Sequence, residues 1–144
     1  MIIRPDGYRI PENATSVHGI TTEMALSEGL PLEVAISEFS GSLEKCHVLV
    51  GHNLPFDLGV VAAECVRLDL KVPFSDICQV CTMRASVRVC KIRRNGRYKM
   101  PTLNELHTFL FGVGVEGAHN ALNDAEACAR CFFELKRRGL IKNL

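Results

Sequence analysis

Val48-Leu49-Val50, an apolar run closed by Gly51 and followed within three residues by a helical stripe, constrains this chain most. An apolar run without alternation suits a strand covered on both faces, the condition of parallel sheets in α/β domains. The stripe behind it, Leu54, Leu58, Val61, Cys65 and Leu68, keeps the 3.6-residue period of a helix. A second such step follows, with a buried strand at 77–80 and a helix at 82–90 running into a basic loop turned by Asn95-Gly96. Upstream, Ile2-Ile3 reads as the tail of a strand ended by Pro5-Asp6-Gly7, and 11–15 as a short helical turn. Thr21 or Thr22 caps a helix that stops at Gly29. Pro31 suits the first turn of the next helix, whose apolar positions are Leu32, Ala35, Ile36, Phe39 and Leu43. Downstream, Thr102-Leu103-Asn104-Glu105 is a capping box, Gly112, Gly114 and Gly117 make a loose connection, and a last helix spans about 120–138. Helix and strand alternate after residue 30, so the fold class is α/β.

Composition narrows the class. With 144 residues, 47% apolar and 23% charged, the chain reads as one domain with one core. Intrinsic disorder is excluded, and the run at 58–63 falls far short of the roughly 20 apolar residues of a membrane span. Residues 1–5 carry no signal-type apolar core, and an odd seven cysteines suit a reducing compartment, so a cytoplasmic location is expected. The net charge of +1 hides an asymmetry. Seven basic residues and no acidic one lie between Arg84 and Lys99, while the remainder carries −6. Such a segment points to a polyanionic partner.

Two aspartates stand at helix starts on apolar stripes. Asp57 keeps helical spacing with Leu54, Leu58, Val61 and Cys65, and Asp124 with Ala121, Ala125, Cys128 and Phe132. A carboxylate on a buried stripe needs a partner or a metal; at the rim of the stripe it simply faces solvent, and the helix dipole favours its charge in either place. Cys78-x-x-Cys81 and Cys128-x-x-Cys131 also form metal-like pairs, but 46 residues intervene and the second pair lies on a helix face. Those two thiols, with Phe39, Phe109, Phe132 and Phe133, read as core. His47 and His107 read as surface or packing residues.

Gly51-His52-Asn53-Leu54-Pro55-Phe56-Asp57 and His119-Asn120-Ala121-Leu122-Asn123-Asp124, in this order, resemble the second and third motifs of the DnaQ-like (DEDDh) 3′–5′ exonucleases. Val17-His18-Gly19-Ile20-Thr21 and 101–106 resemble the epsilon-like branch of that superfamily, and the likeness covers about 2–135. It implies a three-layer, ribonuclease H-like α/β fold. It also implies hydrolysis at the 3′ end of single-stranded DNA or RNA by a site holding two Mg²⁺ or Mn²⁺ ions. By similarity His119 is the general base, and Asp57 and Asp124 are metal ligands. His52, Asn53 and His18 lie near substrate, and Arg84, Arg88 and Tyr98 serve the phosphate backbone and its bases. A polymerase is an implied partner.

The superfamily's first motif, an Asp-x-Glu on an N-terminal strand, has no counterpart. The one Asp-x-Glu in these residues is Asp124-Ala125-Glu126, whose side chains diverge on a helix. Residues 1–144 are therefore expected to form a single exonuclease-like domain lacking its first two to three strands, with an open edge on the strand at 48–50. The expectation is a fragment, a mis-started frame, or a homodimer completing its sheet by exchange, weak or inactive alone. The alternative function is a non-catalytic nucleic-acid-binding relative of these exonucleases.

Overall fold

Two strand–helix steps form the centre of the protein in a computed structural model, which describes residues 1–71, 74, 76–117 and 120–141. β1 (Val48–Gly51) lies parallel to β2 (Cys78–Cys81), with Val48 opposite Cys78 and Gly51 opposite Cys81. Parallel strands need a long crossover, and α4 (Leu54–Arg67) lies within it, with Pro55 in its first turn. α5 (Thr82–Cys90) leaves β2 without a break. Before these steps come α1 (Glu12–His18), α2 (Thr22–Glu28) and α3 (Leu32–Leu43). Thr21 caps α2 by accepting from the Met24 N–H at 3.1 Å. The α/β class expected from the alternation is the class observed.

The sheet departs from expectation in its cover. Every residue of β1 is only half-buried, and in β2 Val80 alone is buried. The reason is topological: among the described residues β1 pairs with β2 alone, so its other edge has no ladder. Ile3 makes one parallel bridge to Leu30 and no strand. Ile77, expected in the second strand, precedes it, and Cys81 closes it.

The best-packed region lies beside the sheet, where α6 (Leu103–Phe111) meets α7 (Ala121–Arg137). Leu106, Leu110, Cys131 and Leu135 are buried together there, with Val89 and Cys90 of α5 against them. Phe132 joins the core, whereas Phe133 and Phe109 are 65% and 47% exposed, correcting their assignment as core. Consecutive helix positions differ by about 100°, so Phe132 and Phe133 cannot share one face. His107 is buried, its Nδ1 at 2.8 Å from the Val113 carbonyl.

Two connections are more ordered than their sequences suggest. The basic loop contains a hairpin of β3 (Arg93–Arg94) and β4 (Arg97–Tyr98). Asn95 and Gly96 both have positive φ, 51° and 76°, as the tightest two-residue hairpin turn requires. The glycine-rich connection is pinned rather than loose. Asn104 Oδ1 accepts from the Val115 N–H at 2.8 Å, and Asn123 Nδ2 donates to the Gly117 carbonyl at 3.1 Å. Gly117 has φ +60°, and a Cβ there would sit 2.3 Å from Asn123 Nδ2. Among the described residues no helix is long and apolar enough to cross a membrane.

Candidate active site

Asp57 lies in the first turn of α4 and Asp124 in the first turn of α7. Local chemistry starts both helices there. Asn53 takes the left-handed conformation ahead of Pro55, a residue pre-set for a helical first turn. Asn120 Oδ1 caps α7 by accepting from the N–H groups of Leu122 and Asn123 at 3.0 and 3.3 Å. The two carboxylate residues, distant in sequence, line one cleft of about 970 Å³. His52 and Gly51 at the end of β1 line it too, with Asn104 of α6. Small residues on α7, Ala121, Ala125 and Ala129, keep its wall open.

The structure puts both carboxylates at the rim of their stripes, one of the two positions the spacing allowed. Asp57 is exposed and Asp124 half-buried, because their ends of the stripes face the cleft beside the sheet. Partial desolvation still raises the Asp57 carboxyl above the usual carboxylate range, opposed by its own backbone N–H. Each charge stands at the positive end of a helix dipole, which favours the ionised form.

His52 is tied on both sides. Its Nε2 lies 3.0 Å from the Pro101 carbonyl and its Nδ1 3.0 Å from Thr82 Oγ1. A carbonyl only accepts, so Nε2 carries the proton in this arrangement, while the Thr82 hydroxyl beside Nδ1 donates to the Gly51 carbonyl at 3.2 Å. Burial lowers the His52 pKa, opposed by the bond to Pro101, and so favours that neutral ring. Thr82 is fully buried, and its hydroxyl also lies 3.6 Å from Cys128 Sγ. The ring thus locks the end of β1 to the starts of α5 and α6, and both its nitrogens are engaged within the protein.

The other candidates lie elsewhere. Asn53 is exposed, beside His52 but outside the lining of the cleft. His18 Nδ1 accepts from the Ile20 N–H at 3.0 Å and closes an exposed turn. Arg84 and Arg88 project from α5 and Tyr98 from β4, none of them lining the cleft. His119 lies outside the described residues. Sequence reading passed over Asn104 and Asn123, which fasten the loop leading toward His119. Their signal was an asparagine in a helical first turn near each end of a glycine-spaced segment.

Asp57 and Asp124 offer hard oxygen donors of the kind that suit Mg²⁺, an ion held by one or two carboxylates, waters and substrate phosphate. Both line the same cleft, and two carboxylates are the donor type such a cation takes. Among the described residues no three His, Cys, Asp or Glu side chains are grouped to share an ion. Cys128 and Cys131 are poor thiolate donors: desolvation raises Cys128 and pushes Cys131 up to about 12.

A family model described as Exonuclease (RNase_T) matches residues 1–132. The chain is 33% identical over 132 residues to the DNA polymerase III subunit epsilon of Haemophilus influenzae, covering 88% of the chain and 47% of that protein. Against the Pasteurella multocida subunit epsilon it is 28% identical over 131 residues, with the same two coverages. It is also 33% identical over 129 residues to the PolC-type DNA polymerase III of Streptococcus pneumoniae serotype 4, covering 88% of the chain and 8% of that protein. The chain therefore spans about half the length of the epsilon relatives.

Proposed function

This chain belongs to the RNase T-type exonuclease family, and from that premise we propose that its cleft removes nucleotides from the 3′ end of a single-stranded nucleic acid, DNA in preference to RNA. The observation that carries the reading is the convergence of Asp57 and Asp124 from two helix starts on one open cleft. Carboxylates so placed hold a divalent cation, Mg²⁺ or Mn²⁺. With a second ion, such a cation would make water more acidic and would offset the charge that develops on the phosphate.

The chain's own residues take the remaining tasks. His119 accepts the proton of the attacking water. The new O–P bond forms as the P–O3′ bond breaks, leaving a 3′-hydroxyl on the shortened strand and releasing a 5′-mononucleotide. His52 acts as a positioning residue: its ring contacts to Pro101 and Thr82 fix the strand end from which α4 carries Asp57. Two carboxylates alone do not fix two ions, so these 144 residues by themselves hydrolyse weakly or not at all. Further carboxylates would come from a strand added at the open edge of β1. The epsilon relatives are named as polymerase III subunits, which supports a polymerase as partner and proofreading or repair as the setting.

End-labelled single strands test the direction. With Mn²⁺ and protein in excess of substrate, a 5′-labelled strand should shorten stepwise, and a 3′-labelled strand should release labelled mononucleotide first. Asp124→Asn and His119→Ala should each remove the residual hydrolysis while leaving the helical circular dichroism intact. Internal cleavage, or hydrolysis surviving both substitutions, would contradict the reading. A second reading, a binding-only relative, is favoured by the basic segment and predicts oligonucleotide binding without Mn²⁺ binding in the cleft.

A further inference from the structure

The β3–β4 hairpin carries more positive charge than its fold can use. Arg94 and Arg97 are cross-strand partners beside the turn, so two like charges face each other across the ladder. Such a pair weakens a hairpin, and among the described residues no ion pair relieves it. The four ion pairs among the described residues take Arg67, Lys99, Arg137 and Arg138. Arg84, Arg88, Lys91, Arg93, Arg94 and Arg97 are all exposed and enter none of them. On the hairpin's other face the Arg93 guanidinium lies 5.6 Å from the centre of the Tyr98 ring. The Arg94–Arg97 face has no such contact.

The hairpin is also fixed in place. The Lys99 N–H donates to the Ile92 carbonyl at 2.9 Å, which closes the base of the hairpin. Lys99 Nζ donates to Glu105 Oε2 at 2.7 Å, and the Pro101 carbonyl accepts from His52. Three residues separate Tyr98 from Thr102, which lines the cleft. That stretch spans at most about 14 Å. The base of the hairpin is thus anchored beside the lip of the cleft, with Arg94 and Arg97 exposed next to its turn.

We propose that Arg94 and Arg97 form a second binding site, outside the cleft, for the phosphodiester backbone of a single-stranded nucleic acid. Arginine suits this task because its planar fork matches phosphate oxygens. The strand crosses the hairpin a few nucleotides from the end held in the cleft, and the phosphates relieve the repulsion between the two guanidinium groups. The placement rests on the exonuclease reading. The binding itself needs neither metal nor hydrolysis.

The test is fluorescence anisotropy of a labelled oligothymidylate with the unaltered chain, in EDTA, over a salt series. Each phosphate contact contributes about 0.7 to the slope of log affinity against log salt for a single strand. Arg94→Gln/Arg97→Gln should therefore flatten the slope by about 1.4, so a fourfold rise in salt costs the variant about sevenfold less affinity than it costs the parent. Arg94→Lys/Arg97→Lys should keep the parent slope. Arg67→Gln/Arg137→Gln removes the same formal charge from arginines already paired to carboxylates, and should leave the slope unchanged. A slope unaltered in the hairpin variant, or altered equally in the Arg67/Arg137 variant, would overturn the inference and leave the hairpin as a surface for an acidic protein. Absence of binding by the parent would overturn it too. Because EDTA silences the carboxylate site, none of these outcomes decides the exonuclease reading.

Discussion

Glu134 shows what a well-placed charge does at the scale of one residue. Its carboxylate meets Arg137 Nε and Arg138 Nε, each at 2.7 Å, and those two guanidinium groups hold its pKa down at about 2. Arg138 also donates to the Leu110 carbonyl at 2.9 Å, so the cluster ties the end of α7 to α6. The folded pKa lies below the ordinary 4.5, so the contribution is complete above that value and disappears as pH falls toward 2. Glu134→Gln should lower stability at neutral pH, and its loss of stability between pH 4.5 and 2 should be shallower than the parent's. Urea midpoints measured across that range check it; parallel curves would contradict it. Asp57 shows the opposite placement, a carboxylate partly desolvated beside a cleft and, among the described residues, in no ion pair.

Elements were legible where backbone chemistry is written locally. Thr102 and Glu105 form the reciprocal cap expected of them, and the helix they start ends at left-handed Gly112. The β3–β4 hairpin was not legible beyond its turn, because Arg93-Arg94 and Arg97-Tyr98 carry no apolar alternation. The connection at 112–117 misled for a different reason. Glycines suggest slackness, yet these positions are dictated by asparagines from two helices that only the fold brings together. Gly117→Ala tests that pinning. A positive φ and a 2.3 Å approach to Asn123 should cost more than about 1 kcal/mol. A urea midpoint unchanged by the substitution would show the loop to be slack.

At the scale of the whole molecule the α/β class was readable, and so were two helix-start aspartates that the fold brings to one cleft. The spacing alone did not decide between a buried and a rim position for them. Asp57 and Asp124 mark themselves as helix-start carboxylates. Whether their stripe ends are covered depends on what lies beside β1, a question of assembly rather than of local pattern. The same gap explains why Val48, Leu49 and Val50, apolar enough for a central strand, are only half-buried.

The most direct measurement is Mn²⁺ binding at pH 7, followed by the loss of the free-ion paramagnetic signal as protein is added. The parent chain should bind Mn²⁺. Asp57→Asn and Asp124→Asn should each weaken binding by at least the roughly tenfold that losing even an outer-sphere partner costs. A parent that binds no Mn²⁺, or affinities unchanged in both variants, would contradict a cation held between these two aspartates.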